Sequence, residues 1–377
     1  MSEVLGGRVP AAGQTQLWAM AAALAGAAAL WLGTPVDAGP ALATLMWLGV
    51  AVAAGFSARA GRVQLIPALL LVPVALALAA ASLLREAAAP AGPSFWLAVA
   101  AVWLGAWMTV SWLAELRPRQ RMAARALGLV TPLLFGATLL WLWEVVVWGA
   151  GVPRVILPAP SVIGARILVS TNTLWIDFVQ TFVKGALSGY AIGCGAALVF
   201  AVAVDRSPFL KRGLLPVGNF VAALPIIGTA PIMVMWFGFD WPSKAAVVVA
   251  MVFFPMLVNT VQGLQASEAM QRDLMRTWSA GYWQTLWHLR LPAAMPFIFN
   301  GLKICSTLAL IGAIVAEFFG SPTRGMGFRI STEVGRLQLD MVWAEIAVAA
   351  IAGSTFYGVW AVLERRVTFW HPSQRGR

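Results

Sequence analysis

Residues 273–292 read DLMRTWSAGYWQTLWHLRLP and form the one long polar stretch between hydrophobic spans in the C-terminal half of the chain. At its start, Met270, Leu274 and Trp278 recur every four residues, so the spacing predicts a helix that carries all three side chains on one face. The small residues 279–281 then allow a bend before the sequence becomes apolar again. We therefore expect an exposed loop with a docking helix on a protein that is otherwise embedded in lipid.

Composition indicates a membrane protein. Of the 377 residues, 60% are hydrophobic and only 11% are charged, and the mean hydropathy is +0.81, which is not typical of a water-soluble domain. Because a helix needs about 20 apolar residues to cross a bilayer, the pattern predicts an all-α integral membrane protein with about ten transmembrane helices. The predicted spans are residues 9–36, 38–58, 63–84, 87–114, 126–149, 178–204, 213–239, 245–267, 293–320 and 341–363.

The basic residues indicate the orientation of these spans. The formal net charge is +11, and most of the 26 Lys and Arg fall in one alternating set of loops if the N-terminus is cytoplasmic. The densest clusters are residues 117–121 and 365–366. This is the positive-inside pattern of a multi-pass protein, so the charge indicates topology rather than nucleic-acid binding. We expect both termini in the cytoplasm.

Residues suited to enzyme chemistry are scarce. Cys194 and Cys305 both fall inside predicted spans, which argues against a disulfide framework or a thiolate metal site. His288 and His371 are the only histidines, and the chain contains no GxxxxGK[ST] phosphate loop. We expect a non-enzymatic subunit that binds no metal and no cofactor, with any ATP used by a partner.

A short basic connector at residues 115–125 divides the chain. Residues 1–120 are predicted to hold about four accessory helices without charges inside them, suited to packing, assembly or partner contact. Residues 121–377 are predicted to hold about six helices, and transport is expected in this block because its spans contain charges and most of the prolines. The charges within spans are Glu144, Lys184, Lys303, Glu317 and Glu345.

Loop 267–292 resembles the coupling loop of ABC importer permeases. That consensus reads Glu-Ala-Ala, three residues, Gly, nine residues, then Ile-x-Leu-Pro. This chain keeps the spacing but has other residues at several of the consensus positions. The leading Glu is replaced by Asp273, the central Gly by Ser279, and a Gly follows at position 281. The resemblance implies insertion into a cleft of a cytoplasmic ATPase, whereas an ordinary basic loop lying on the inner leaflet is the alternative. The assigned residues are Asp273, Leu274, Met275, Trp278, Ser279, Gly281, Leu289, Leu291 and Pro292.

Four further stretches resemble the branch of this family that imports sulfonates, taurine, nitrate and thiamin-pyrimidine precursors. They are LPAPS at residues 157–161, a proline-broken helix at residues 223–238, AEFFG at 316–320 and GMGF at 325–328. The resemblance covers residues 126–377 and implies a six-helix type I importer core. The first 115 residues have no counterpart in the usual core.

The resemblance also implies an assembly. Two permease chains, expected to be a homodimer, form the pore in a bacterial inner membrane. Two ATPase subunits dock beneath it and a periplasmic binding protein delivers solute above. The expected activity is alternating access for a small organic solute, such as a sulfonate, nitrate, taurine or a pyrimidine-like compound.

The predicted solute path centres on the proline-broken helix. Each proline removes a backbone donor, which lipid tolerates only beside protein or a water-filled cavity. A packed kink without solute contact is the alternative, and Glu144 and Lys184 could instead form a structural ion pair. The candidate path residues are Glu144, Lys184, Asn219, Pro225, Thr229, Pro231 and Trp236.

Two other functions compete. An ion-gradient-driven secondary transporter would also have many helices, but it should show midplane carboxylates and an internal repeat, and neither is evident. A structural membrane anchor is the other reading, and the N-terminal block alone would suit it.

Overall fold

The computed structural model describes residues 91–115, 121–222, 225–320 and 323–370, which form helices and turns without a strand. The chain divides into two compact units between Val162 and Ile163. The spans predicted at residues 9–36, 38–58 and 63–84 lie outside the described residues. The total of about ten helices therefore stays a prediction, as does the division at residue 120.

Five described helices are long and apolar enough to cross a membrane. They confirm the spans predicted from residues 126, 178, 245, 293 and 341 onward, so the chain is a multi-pass membrane protein. The described helices are α1 (Pro93–Glu115), α2 (Arg121–Gly149), α3 (Pro160–Val169), α4 (Thr171–Arg206), α5 (Pro208–Ala222), α6 (Ile226–Phe237), α7 (Trp241–Gln265), α8 (Ala269–Thr277), α9 (Tyr282–Gly320), α10 (Met326–Gly335) and α11 (Leu339–Val367).

In the first unit, α1 packs against α2. The amide of Ala91 donates to the carbonyl of Gly149 at 2.9 Å, which joins the start of α1 to the end of α2. Both helices are almost entirely apolar, as expected for elements whose outer faces meet lipid.

In the second unit, α7 is the central helix and packs against both α4 and α9, while α11 packs on α9. Tyr190 of α4 donates its hydroxyl to the carbonyl of Leu302 in α9 at 3.0 Å, so a buried polar tip is satisfied across the core. Buried α7 core residues are Val248, Val252, Met256, Leu257, Val261 and Leu264.

Three glycines set the approach of α4 to α7. A Cβ placed on Gly189 would lie 2.6 Å from Cβ of Val248, and one on Gly193 would lie 2.5 Å from Cγ2 of Val252. Gly185 also faces α7, whereas Gly195 faces open space. Three of the four glycines in this part of α4 therefore form a packing surface.

The span predicted at residues 213–239 is two helices rather than one. Pro225 has extended backbone (φ −69°, ψ 111°) and separates α5 from α6. A proline there has no amide hydrogen to donate to a continuing helix. Pro231, by contrast, lies inside α6. The predicted interruption is thus present at Pro225 and absent at Pro231.

Gly189→Val should destabilise the protein by about 1 to 3 kcal/mol, because the added methyl groups overlap Val248 and the Ala245 carbonyl. Gly195→Val is the matched control, since it introduces the same side chain on the same helix into open space. Thermal unfolding of both purified variants in detergent measures the difference. Equal losses in the two variants would contradict the packing.

Candidate functional site: loop 267–292 and the broken helix

The polar stretch that opens the sequence analysis begins with helix α8. The helix starts after Glu268, whose amide donates to Oε1 of Gln271 at 3.3 Å and so completes part of a cap. None of its residues is buried. The exposed fractions are 80% for Met270, 53% for Leu274 and 73% for Trp278, so three large apolar side chains lie uncovered on a polar helix.

Helix α8 ends in a left-handed turn at Ser279, where φ is +53°. The Trp278 amide donates to the Leu274 carbonyl at 3.2 Å, and the Ala280 amide donates to the Met275 carbonyl at 3.0 Å. Glycine adopts this backbone without strain, which explains why the resembling consensus has Gly at this position. Serine adopts this left-handed backbone with a small cost in conformational energy, so the turn is preserved with serine in place of glycine.

The helix that contains the span predicted at residues 293–320 begins before that span. Helix α9 starts at Tyr282, well before Leu291 and Pro292, and includes a π-helical segment, Leu286–Arg290. Pro292 has no amide hydrogen and its ring opposes the carbonyl four residues before it. The wider turn, in which the Leu291 amide donates to the Leu286 carbonyl, lets the helix pass the proline without ending.

The loop residues assigned from sequence divide into two groups. Asp273, Leu274, Trp278, Ser279 and Gly281 are exposed, whereas Met275, Leu289, Leu291 and Pro292 are half-buried. Asp273 is paired with Arg276 of the same helix at 3.1 Å, and both side chains are well exposed, so the pair adds little stability.

Polar side chains also connect the loop to the transmembrane helices. Arg290 forms two hydrogen bonds with Asp205 at the end of α4, at 2.6 and 2.7 Å, and its Nε donates to the Leu264 carbonyl in α7 at 3.0 Å. The Tyr282 hydroxyl donates to the same Asp205 carboxylate at 3.0 Å. Sequence reasoning did not single out Asp205 or Arg290.

The structure places four of the predicted path residues on or beside α6. Pro225 and Trp236 are exposed, while Thr229 and Pro231 are half-buried. Asn219 lies in α5, and its side chain is outside the described ones. Lys184 is exposed on α4. The assignment of these residues to a solute path stays a prediction.

Glu144 has partners close in sequence. Its carboxylate accepts hydrogen bonds from the indole of Trp148 at 2.7 Å and from the amide and hydroxyl of Ser161. Ser161 ends the LPAPS stretch, so this carboxylate fixes the start of α3. The pairing with Lys184 would connect the two units and stays a prediction.

A buried polar cluster lies at the end of α4 that is opposite to Asp205. Asp177 is fully buried and accepts hydrogen bonds from the Gly325 amide at 2.7 Å and from Nε of Arg329 at 2.9 Å. Thr181 accepts from the Met326 amide and donates to Glu317 at 2.8 Å. We call this group, with Gly327, the Asp177 cluster. Asp177 and Thr181 are spaced i, i+4 at the start of a span, which is the one sequence signal that could have found them.

Other in-span charges have different surroundings. Lys303 pairs with Glu364 of α11 at 2.6 Å, which accounts for its position inside α9. Glu345 is fully buried, and neither of its carboxyl oxygens has a hydrogen-bond partner within the described residues. Within the same part of the chain, no three His, Cys, Asp or Glu side chains are arranged to hold a metal ion.

Comparison with known proteins places the chain in a family. Residues 189–369 match the family described as binding-protein-dependent transport system inner membrane component. The riboflavin transport system permease protein RibX of Chloroflexus aurantiacus is 30% identical over 261 residues, which cover 69% of this chain and 96% of that protein. The chain belongs to this family of ABC transporter permeases.

Other relatives agree. A probable ABC transporter permease protein of Haemophilus influenzae is 30% identical over 223 residues, covering 58% of this chain and 89% of the relative. The formylaminopyrimidine transport permease protein ThiX of Halalkalibacterium halodurans is 29% identical over 254 residues, covering 66% and 99%. The resemblance to the sulfonate, taurine and thiamin-precursor branch is thereby confirmed. The permease is a transport subunit.

Asp177→Ala should destabilise the permease by about 3 kcal/mol, because it leaves Arg329 and the Gly325 amide without their buried acceptor. Asp340→Ala is the control. It removes an ion pair with Arg166 that is longer, at 3.5 Å, and partly exposed, so its effect should stay below about 1 kcal/mol. Thermal unfolding in detergent compares the two, and a larger loss for Asp340→Ala would contradict this account of the cluster.

Proposed function

We propose that the permease forms the translocation path of an ATP-driven importer and that loop 267–292 docks on a cytoplasmic ATPase subunit. The observation that carries the proposal is the uncovered apolar face of α8, formed by Met270, Leu274 and Trp278. These three side chains lie on a helix of low mean hydropathy, where water would otherwise surround them. Apolar side chains presented together in this way are typical of a protein contact.

Trp278 is the best candidate for the centre of that contact. Tryptophan is among the residues that most often dominate binding energy at interfaces, because it has a large apolar area and few rotatable bonds. In the permease it follows the last turn of α8, directly before the left-handed Ser279, so its position is fixed by the turn. The charged pair Asp273 and Arg276 supplies polar contacts at the rim.

Energy must then come from the docked partner. The chain contains no GxxxxGK[ST] sequence, so ATP is bound and hydrolysed in a separate subunit. In the proposed mechanism, closure of two ATPase subunits draws two copies of loop 267–292 together. Helices α7 and α9, which flank the loop, convert this movement into opening on the opposite side, which is alternating access with a coupling free energy between sites.

The proposed path runs beside α6, between two copies of the permease. Trp236 is 71% exposed in the single chain, and Pro225 lies where the backbone leaves helical geometry. Such backbone is stable in a membrane only beside protein or a cavity. The remaining candidate lining residues are Glu144, Lys184, Asn219, Thr229 and Pro231.

The solute is proposed to be a small organic compound or anion, such as a sulfonate, nitrate, taurine or pyrimidine-like molecule. Support comes from the relatives, whose names include riboflavin, formylaminopyrimidine, aliphatic sulfonate and taurine transport. A periplasmic binding protein delivers it, the membrane is the bacterial inner membrane, and both termini are cytoplasmic. Family membership favours this reading over an ion-gradient transporter or a membrane anchor.

Trp278→Asp tests the docking. We expect a loss of at least about tenfold in binding of the ATPase subunit, because a charge replaces the main apolar contact. ATP-driven uptake and ATPase stimulation should fall with it, while the amount of permease in the membrane stays unchanged.

Trp278→Phe is the matched control and should keep most of the activity, since it retains an aromatic side chain on the same face. Co-purification with the importer's ATPase subunit, followed by ATPase assays in proteoliposomes, measures each variant. Unchanged co-purification of the Asp variant would remove loop 267–292 from the ATPase contact.

A further inference from the structure

Helix α4 has a buried aspartate near each end. The Asp177 side chain is fully buried, and that of Asp205 is 4% exposed. At the α-helical rise of 1.5 Å per residue the helix between them would be about 42 Å long, and its π-helical segment Val179–Leu187 shortens it slightly. This length is close to the thickness of a bilayer with its headgroups, about 40–45 Å. Each aspartate binds an arginine from a distant part of the sequence, Arg329 for Asp177 and Arg290 for Asp205.

The pair at the loop end has a defined geometry. Both terminal nitrogens of Arg290 bind the two oxygens of Asp205, at 2.6 and 2.7 Å. A bidentate pair of this kind fixes the mutual orientation of its partners as well as their distance. The third donor of the guanidinium, Nε, reaches the Leu264 carbonyl one residue before α7 ends. One side chain therefore joins α4, α7 and the π segment of α9.

This junction lies at the base of loop 267–292. The loop leaves the membrane helices at the end of α7 and rejoins them at Tyr282, whose hydroxyl also binds Asp205. Arg206 lies over the ring of Tyr282, with 5.6 Å between its guanidinium carbon and the ring centroid. Both ends of the loop are thus attached to the same end of α4, so the base of the loop cannot move relative to α4 without breaking these bonds.

The other end of α4 is attached to helix α10. The Asp177 cluster binds three consecutive amides, those of Gly325, Met326 and Gly327, through Asp177, Thr181 and Glu317. These amides start α10, and Arg329 adds an ion pair one turn later. Helix α10 is therefore bound directly to α4, and through Glu317 it is also bound to α9.

We infer that Asp205 and Arg290 are positioning residues that join loop 267–292 to α4, and that α4 carries the movement to α10 through the Asp177 cluster. The inference rests on the proposed function, since it assumes that an ATPase moves the loop. It adds the element that transmits the movement, which is the single helix α4. We call the polar contacts at its two ends, Asp205–Arg290 and the Asp177 cluster, its joints. The partner required is the ATPase already proposed, and no further ligand is involved.

The test follows movement of α10 in the assembled importer. Val334 of α10 is half exposed, so Val334→Cys provides a site for a maleimide probe, and the native Cys194 and Cys305 are buried. Labelling rates are compared with and without trapping by Mg-ATP and vanadate. For the wild-type background we expect trapping to change the rate by about tenfold, within the usual range of allosteric coupling.

Two variants break the joint at the loop end. Arg290→Lys keeps the charge and loses the bidentate geometry, and Asp205→Asn keeps the size and loses the charge. In both, the trapping effect at Val334→Cys should fall to less than about twofold, while the ATPase still co-purifies and hydrolyses ATP. The second variant serves if the first does not assemble.

Lys303→Gln is the matched control. It breaks an ion pair of the same length, 2.6 Å, which is also largely buried but joins α9 to α11. A kept trapping effect in this control, with a lost effect in the joint variants, supports the inference. A kept effect in both joint variants, or an equal loss in the control, overturns it. A Val334→Cys background without any trapping effect also overturns the inference, whereas an ATPase that does not co-purify with the wild-type permease overturns the proposed function instead.

Discussion

Polar groups inside a lipid-spanning helix must find their partners within the protein, because hydrocarbon offers no hydrogen bond. The second unit of the permease follows this constraint at most of its charged positions. Lys303 binds Glu364, and Glu317 binds Thr181 and Gly327. The uncharged Ser188 also finds partners, since it donates to carbonyls of the π-helical segment Val179–Leu187 within α4. These bonds fix the helices relative to one another, so we expect a movement of one helix to be transmitted to the helices bound to it.

Close packing supports the same rigidity by a different mechanism. Gly189 and Gly193 bring α4 against α7 with no room for a side chain, so dispersion contacts between backbones replace the hydrophobic drive that lipid does not provide. The flexible or uncovered elements lie outside this packed centre. They are α8, with its exposed apolar face, and the extended backbone at Pro225. A transporter needs both kinds of element, one to transmit movement and one to contact partners or solute.

Local signals made much of this predictable. The four-residue spacing of Met270, Leu274 and Trp278 indicated a helix, and apolar length indicated the five described spans. The exact course of the chain near proline was harder. The span predicted from residue 293 lies in a helix that begins earlier, at Tyr282, and in this helix a π segment precedes Pro292. Pro225 did break its helix, and the two prolines differ in context rather than in chemistry.

The sequence by itself determined the membrane environment, five of the predicted spans, the polar loop with its apolar face, and the absence of a phosphate loop, since each depends on composition or on spacings shorter than two helical turns. Only the tertiary structure paired Asp205 with Arg290 and Asp177 with Arg329, and only it showed that both pairs lie on α4. Charged residues so far apart in the chain carry no sequence signal for each other. Their contact arises when packing of α4, α7 and α9 brings them together, and the low dielectric surroundings then make that contact strong.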